Sequence, residues 1–203
     1  MKAFENDAAI LAQYVATFEK LGDLRELASE RDITEEVFRS LMQGTTEIAW
    51  KEWHPQAYET EVSELLKFYQ ALGLLGRGST RFPPLYETLL LSYRWSEVDL
   101  GRYRLLANKF SLDLSPLSGC IRESSALFST LRSNGYWQFG RAESDDFDPV
   151  CFDFRHRQKN GDCRIVRIDH EDIFCRDDIR EVEELAPNFR SLVLDTIQRA
   201  NSL

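Results

Sequence analysis

Apolar residues recur with helical spacing over the first two thirds of the chain. One apolar face is predicted over residues 4–20, and it consists of Ile10, Leu11, Tyr14, Val15 and Phe18. Thr34 has the position of an N-cap, and it predicts a second helix that ends before Gly44. A third helix is predicted from Glu59, and its apolar face is formed by Val62, Leu65, Leu66 and Tyr69. Residues 45–58 lose this periodicity, so we interpret them as a connection.

Two more helices and a strand are predicted before residue 136. Pro84 suits the first turn of a helix, and the buried face of that helix would be Leu85, Leu89, Leu90 and Tyr93. The stretch EVDLGRYRLLA, residues 97–107, indicates a strand in which Gly101 interrupts the alternation. The stretch RESSALFSTLRSNG is typical of a short helix that ends at Gly135.

After residue 135 the period of the pattern changes from helical to two. YWQFG predicts one strand and RIVRIDH another. Between them a third strand is predicted by two alternating sets of residues, namely Val150, Phe152 and Phe154 against Cys151, Asp153 and Arg155. Pro187 begins a last helix with the apolar stripe Leu192, Val193, Ile197 and Ala200. Helices, then strands, then a closing helix predict an α+β fold.

Asn160 and Gly161 predict a turn between the last two strands, and the length of the loop decides the register. A loop of these two residues alone would place Phe152 opposite Asp169, which mixes apolar with polar positions. A loop of three residues that begins at Lys159, with Gly161 in the left-handed conformation, keeps apolar residues together. This register is preferred, and it predicts the pairs Phe154 with Val166, Phe152 with Ile168, Asp153 with Arg167, Cys151 with Asp169, and Val150 with His170.

The net charge of the chain restricts the kinds of partner that it can bind. The 203 residues are enough for one domain with a sizeable core, and the net charge is −9. Nucleic acid repels such a chain unless basic residues are segregated on one face. The basic run at residues 155–159 is flanked by acidic residues on both sides, so we predict no nucleic-acid partner. An acidic protein is suited instead to a basic protein partner, whose approach its field accelerates.

The N-terminal sequence and the cysteines indicate a cytoplasmic protein. Acidic residues early in the chain do not fit a signal peptide, and no apolar stretch approaches the roughly 20 residues that span a bilayer. We therefore predict no membrane partner. The four cysteines lie twelve or more positions apart, which favours reduced structural thiols over a zinc site.

Candidate chemistry concentrates in ESDDFDPVCFDF, residues 143–154, which contains the five carboxylates Glu143, Asp145, Asp146, Asp148 and Asp153. The stretch lacks the spacing of an EF-hand calcium loop. A metal-dependent hydrolase built on Asp153, Asp169 and His170 is an alternative, although the chain has no G-x-S-x-G or H-E-x-x-H motif. The hairpin register gives Asp153 a structural role, in a cross-strand ion pair with Arg167.

Several segments together resemble the SUKH superfamily, also called the Smi–Knr family. They are FPPLYETLLLSYRW, YWQFG, DPVCFDF, NGDCRIVRIDHED and ELAPNFRSLV, in that order, and the similarity covers residues 59–200. The residues that carry it are Pro83, Tyr86, Phe139, Asp148, Cys151, Asp153, Gly161, His170, Glu171, Ala186 and Phe189. The chain departs from the family at YRWSEVDLG, where an Asn-Gly step is common, and about 45 N-terminal residues exceed the common core.

The resemblance implies a sheet of about four to six strands, mixed or antiparallel, packed against helices. It implies a SUKH-like domain over residues 59–203 with an N-terminal helical extension over 1–58. It brings no catalytic set, no cofactor and no metal. The residues expected to be structural are Pro83, Tyr86, Phe139, Phe152, Asp153, Gly161, Arg167, His170 and Phe189.

The function implied by the resemblance is protein binding without catalysis. Bacterial members resemble immunity proteins that neutralise toxins, many of which are nucleases and therefore basic. The alternative is a cytosolic regulatory scaffold of the cell-wall-assembly type, without a toxin partner. On the first hypothesis, the residues predicted to bind the partner are Glu143, Asp145, Asp146, Asp148 and Asp169.

Overall fold

The structure, a computed structural model, describes most of the chain. The described residues are 2–21, 25–26, 51–52, 55–75, 81–109, 113–142 and 147–203. Within them the helices are α1 Lys2–Leu21, α2 Val62–Leu72, α3 Pro84–Ser92, α4 Ser115–Ile121, α5 Ser125–Ser133, α6 His170–Arg176 and α7 Phe189–Ala200. The short strands are β1 Arg25–Glu26, β2 Lys51–Glu52, β3 Gln56–Ala57, β4 Tyr93–Arg94, β5 Val98–Asp99 and β6 Arg104–Leu105. The longer ones are β7 Tyr136–Arg141, β8 Pro149–Arg157, β9 Cys163–Ile168 and β10 Glu181–Ala186.

Strands β5 to β10 form one six-stranded sheet. Its order is β10-β9-β8-β7-β6-β5, and all neighbours are antiparallel. Strand β1 pairs with β2, and β3 pairs with β4, in separate two-stranded ladders. The prediction of an α+β fold with an antiparallel sheet and an N-terminal helix is thereby confirmed. The predicted helix after Thr34 lies outside the described residues.

Helices cover both faces of the sheet. The main core joins helices α1, α2, α3, α4 and α7 to one face, where Phe139 and Phe152 are fully buried. A second, smaller core joins α5 and α6 to the other face, where Leu131 and Ile173 pack on Val166. Coverage on both sides explains why the first five residues of β8 are all buried, although their polarity alternates along the sequence.

Four aromatic residues expected to be structural form the centre of the main core. The rings of Phe139 and Phe152 stack with centroids 4.2 Å apart. Tyr86 meets Phe152 edge to face at 5.0 Å, and Phe189 meets Phe139 at 5.8 Å. Tyr86 lies on α3, which begins immediately after Pro83 with Pro84 at its first position. Such edge-to-face and offset pairs add to the free energy gained by burial alone.

Helix α1 is part of the main core. Leu11, Tyr14 and Phe18 are buried in the same cluster as the sheet residues, as their helical spacing predicted. The Tyr14 hydroxyl forms a 2.6 Å hydrogen bond with the hydroxyl of Tyr103, which precedes β6. Lys20 donates to Asn201 Oδ1 at 3.2 Å, next to the end of α7. The first helix therefore packs on the rest of the protein, while a domain boundary at residue 58 stays a prediction.

The hairpin between β8 and β9 has the predicted turn but another register. Gly161 is left-handed with φ of 85°, and the Gln158 N–H donates to Asp162 across the three-residue loop. Beyond the loop, β8 advances five residues from Arg157 to Phe152 while β9 advances only two from Cys163 to Ile165. The extra residues bulge out of the β8 ladder.

The predicted pairing beyond that bulge is wrong. Three pairs replace it: Val150 with Arg167, Cys151 with Val166, and Phe152 with Ile165. The predicted ion pair between Asp153 and Arg167 is wrong for the same reason, and so is the placement of His170 opposite Val150. An alternating pattern fixes which residues share a face, but it does not reveal a bulge that moves one strand along the other.

The observed secondary structure differs from the prediction in several other segments. The stretch predicted as one strand at residues 97–107 is the hairpin of β5 and β6, which turns at Gly101 with φ of 85°. Asp169 and His170, which the sequence predicts at the end of the strand RIVRIDH, are instead the N-cap and the first residue of helix α6. Helices α4 and α6 and strand β10 were not predicted. On α2, Val62 and Leu66 are exposed, and Phe68 and Leu72 are buried with the predicted Leu65 and Tyr69.

Candidate partner-binding face

A cavity of about 340 Å³ opens between helices α5 and α6 and strand β7. Its apolar wall includes Leu127, Phe147 and Phe174, and its polar groups include Glu123, Gln138, Arg141 and His170. We call this surface the α5–α6 face. It lies on the side of the sheet that the second core covers, away from the aromatic centre of the protein.

Two phenylalanines project into solvent beside this cavity. Phe147 is 67% exposed and Phe174 is 54% exposed. The rings of both lie near the imidazole of His170, with centroid distances of 6.1 Å and 6.3 Å. Exposed aromatic side chains grouped around a cavity are typical of the anchors of protein interfaces.

Asp148 holds His170 in place. Its Oδ1 accepts hydrogen bonds from both the backbone N–H and the Nδ1 of His170, each at 2.8 Å. Arg167 Nε lies 3.7 Å from the other carboxylate oxygen. Asp148 is only 5% exposed, so it fixes the imidazole between the two phenylalanines from within the fold.

Asp169 fixes the start of α6, the helix that carries His170 and Phe174. Its Oδ1 accepts the backbone N–H of Asp172 at 3.0 Å, which is the N-cap interaction of this helix. Its Oδ2 is paired with Arg180. The Asp172 N–H and the Arg180 guanidinium both stabilise the ionised form, so the pKa of Asp169 lies below its ordinary value. The N-cap interaction of Asp169 therefore fixes the start of α6 and, with it, the position of the exposed Phe174.

The residues predicted to bind a partner have different positions. Glu143, Asp145 and Asp146 lie outside the described residues. Asp148 and Asp169 are described, but both are less than a tenth exposed and are engaged within the chain. Their contribution to this face is to position other side chains. The exposed members, Phe147 and Phe174, were missed by sequence reasoning, although each is a lone aromatic in a highly charged stretch.

Asp148, Asp169 and His170 each offer a possible metal-ligand atom, and these atoms lie within 4.8 Å of one another. The carboxylates already serve the hydrogen bonds described above, which accounts for the cluster without an ion. The alternative hydrolase set contained Asp153 in place of Asp148. The structure does not bring Asp153 to this cluster, because that residue lies in the bulge of β8.

Asp153 forms a separate ionic cluster at the bulge of β8. It is fully buried and pairs with Arg155 Nε at 2.9 Å and Arg164 Nη2 at 2.6 Å. His156 Nδ1 lies 2.8 Å from Oδ2. Burial on its own would raise the pKa of the carboxyl, but the hydrogen bonds from Arg155, His156 and Arg164 outweigh burial and hold it well below its ordinary value.

Glu181 extends this ionic cluster to strand β10. It accepts from Arg155 at 2.6 Å, from Arg164 at 2.7 Å and from the Tyr136 hydroxyl at 2.6 Å. The cluster therefore connects β7, β8, β9 and β10 across the bulge. Its carboxylates and cations are paired with each other, which indicates a structural role.

Comparison of the chain with protein-family models, with curated proteins and with solved structures gives no match. The resemblance to the SUKH superfamily therefore stays a prediction from the sequence. Among the described helices, none combines the length and the apolar character needed to cross a bilayer.

Proposed function

We propose that the protein is a non-enzymatic protein-binding domain, and specifically a bacterial immunity protein that neutralises a basic toxin protein by binding it. The observation that supports this function is the α5–α6 face, where Phe147 and Phe174 project beside a cavity of about 340 Å³. Exposed aromatic side chains of this kind contribute binding free energy only when a partner buries them.

The charge of the chain supports a basic partner. A net charge of −9 attracts a cationic protein and accelerates its encounter, and this effect weakens as salt screens the charges. A nuclease toxin carries positive charge because it must bind nucleic acid. The carboxylates at residues 143–146 directly precede Phe147, so the proposed anchor lies next to a run of negative charge in the sequence.

The test is affinity capture of the tagged protein from its native cells, with washes at low and at high salt. A stoichiometric basic protein, released by salt, is expected. It should be toxic when expressed alone and harmless when co-expressed with this protein. A captured protein that is not toxic would refute neutralisation and favour the cytosolic regulatory scaffold. Capture of nothing at either salt would refute a tight inhibitor.

Variants locate the contact. The double substitution Phe147→Ala and Phe174→Ala should weaken capture by about 2 kcal/mol or more, roughly 30-fold in affinity, as expected for aromatic hot spots. Val62→Ala is the matched control, since Val62 is 62% exposed on α2 and lies outside the cavity. Equal affinity of the double variant and the control would place the contact on another surface.

A further inference from the structure

We propose that the cavity of the α5–α6 face receives an arginine side chain of the partner protein, with its guanidinium bound by Glu123 and Gln138. This inference rests on the proposed function, because it names the group by which that partner is anchored. The cavity, at about 340 Å³, is near the lower end of the range of small-molecule sites, which suits a single long side chain.

Gln138 supplies an amide oxygen to the lining of the cavity. The residue is 5% exposed and lies on β7, and its Nε2 donates to the Gly140 carbonyl at 3.1 Å. That bond orients the amide and leaves Oε1 as an acceptor, which has no hydrogen-bond partner among the described residues. An apolar anchor would cover this oxygen without satisfying it, whereas a guanidinium N–H would bind it.

Glu123 supplies a carboxylate at the rim. Its side chain is 69% exposed, and its Oε2 accepts from Arg141 Nη2 at 2.5 Å. Oε1 has no partner among the described residues, and a carboxylate can accept several hydrogen bonds. Arg141 also brings positive charge to this rim, but its pairing with Glu123 offsets that charge and holds the carboxylate at the cavity.

The aromatic walls distinguish arginine from lysine. Phe147, Phe174 and Leu127 line the cavity, so a planar guanidinium that enters it can stack on an aromatic ring while its methylene stem contacts apolar side chains. An ammonium group is more strongly hydrated and cannot use two acceptors with the fixed fork geometry of a guanidinium. The combination of aromatic walls, the amide oxygen of Gln138 and a rim carboxylate therefore favours arginine.

The test uses small probes with the intact protein. N-acetyl-arginine methylamide, and the matching lysine and leucine amides, are titrated at millimolar concentration while ¹H–¹⁵N amide spectra are recorded. The arginine probe should shift the amide signals of Glu123, Gln138, Phe147, His170 and Phe174 at lower concentration than the other two. Equal or tighter binding of the leucine probe would overturn the inference.

Glu123→Gln tests the carboxylate without loss of a buried group. It should weaken the arginine probe by about three- to fivefold, the range of an exposed ion pair, and leave the leucine probe unchanged. Glu59→Gln, at an exposed carboxylate outside the cavity, should change neither. An arginine affinity that Glu123→Gln leaves intact would refute the assignment. The titrations contain no partner protein, so their outcome is independent of the affinity capture. Failure of the titrations would refute the arginine site alone, whereas failure of the capture would refute the proposed function.

Discussion

The substitution Asp153→Asn should destabilise the protein by about 2–3 kcal/mol at neutral pH. Loss of one member of a buried ion pair typically costs about 3–5 kcal/mol, because the other charge stays buried. Here Asp153 is fully buried, but Arg155 and Arg164 are 41% and 24% exposed and can be solvated when the carboxylate is lost. The expected loss therefore lies below that range and above the roughly 0–1 kcal/mol of surface pairs.

The pH dependence of this loss has a definite sign. The pKa of Asp153 is lower in the folded protein than in the unfolded chain, because its hydrogen bonds to Arg155, His156 and Arg164 outweigh burial. The carboxylate therefore contributes its full stability above an unfolded pKa of about 4, and this contribution is lost as the pH falls toward the folded value. The difference between wild type and Asp153→Asn should be constant from pH 6 to 8 and should shrink below about pH 4.

Urea unfolding followed by tryptophan fluorescence and circular dichroism measures both effects. In a protein of this length the loss corresponds to a decrease in Tm of about 5–10 °C. Glu59→Gln removes one charge from an exposed side chain and should stay within about 0.5 kcal/mol of wild type. A change for Asp153→Asn as small as that of the control, or a difference that grows in acid, would refute the account of the ionic cluster.

Four further predictions concern single residues. Tyr86→Phe should leave the free energy of unfolding unchanged or raise it by up to about 1 kcal/mol, since the buried hydroxyl has no partner among the described residues. Tyr14→Phe should lower it by about 1 kcal/mol through loss of the hydrogen bond to Tyr103. Gly161→Ala should cost about 1–2 kcal/mol in backbone strain at φ of 85°. The exposed thiol of Cys175 should react first with Ellman's reagent, while Cys163, buried and with its pKa raised to about 12 by burial, should react only on unfolding.

Each of these has an internal control. Urea midpoints compare the two tyrosine variants, and a larger loss for Tyr86→Phe than for Tyr14→Phe would contradict the hydrogen bonding described. Gly119→Ala, in helix α4 where an added Cβ meets nothing within 4 Å, should stabilise by about 0.5–1 kcal/mol. If Gly161→Ala and Gly119→Ala changed the free energy of unfolding in the same direction, the result would argue against strain at Gly161. Cys151 is as buried as Cys163 and should stay equally unreactive in the native protein.

Elements that combine a strong period with a clear end signal were predictable from sequence. Helix α3 shows this, since Pro84 marks its start and Leu85, Leu89 and Leu90 are buried as their spacing requires. Strand β10 shows the opposite case: its first four residues are exposed, so its sequence EVEELA carries no alternation of buried and exposed positions. Helix α6 was not predicted because no loop separates it from β9. Its N-cap, Asp169, directly follows Ile168, the last residue of that strand.

The candidate face was only partly predictable. Asp148 and His170 were selected from the sequence, and they lie within hydrogen-bonding distance at 2.8 Å. Their neighbours Phe147 and Phe174 were not selected, because an aromatic residue in a charged stretch can be buried or exposed depending on how α6 packs. Exposure of that kind is a property of tertiary structure, and neither hydrophobic period nor charge encodes it.

The packing of α1 against α7 has a consequence for synthesis on the ribosome. Tyr14 and Phe189 meet edge to face at 6.5 Å, and Asp7 is paired with Arg190, so groups some 180 residues apart in sequence form one contact. While the nascent chain grows, the part of the α1 stripe that packs on α7 has no partner until α7 emerges, although Phe18 can already pack on Trp95. Contacts of such long sequence separation are slow to form, and an unpaired apolar stripe is prone to association. We therefore expect the contact between α1 and α7 to be among the last to form when the chain folds during synthesis.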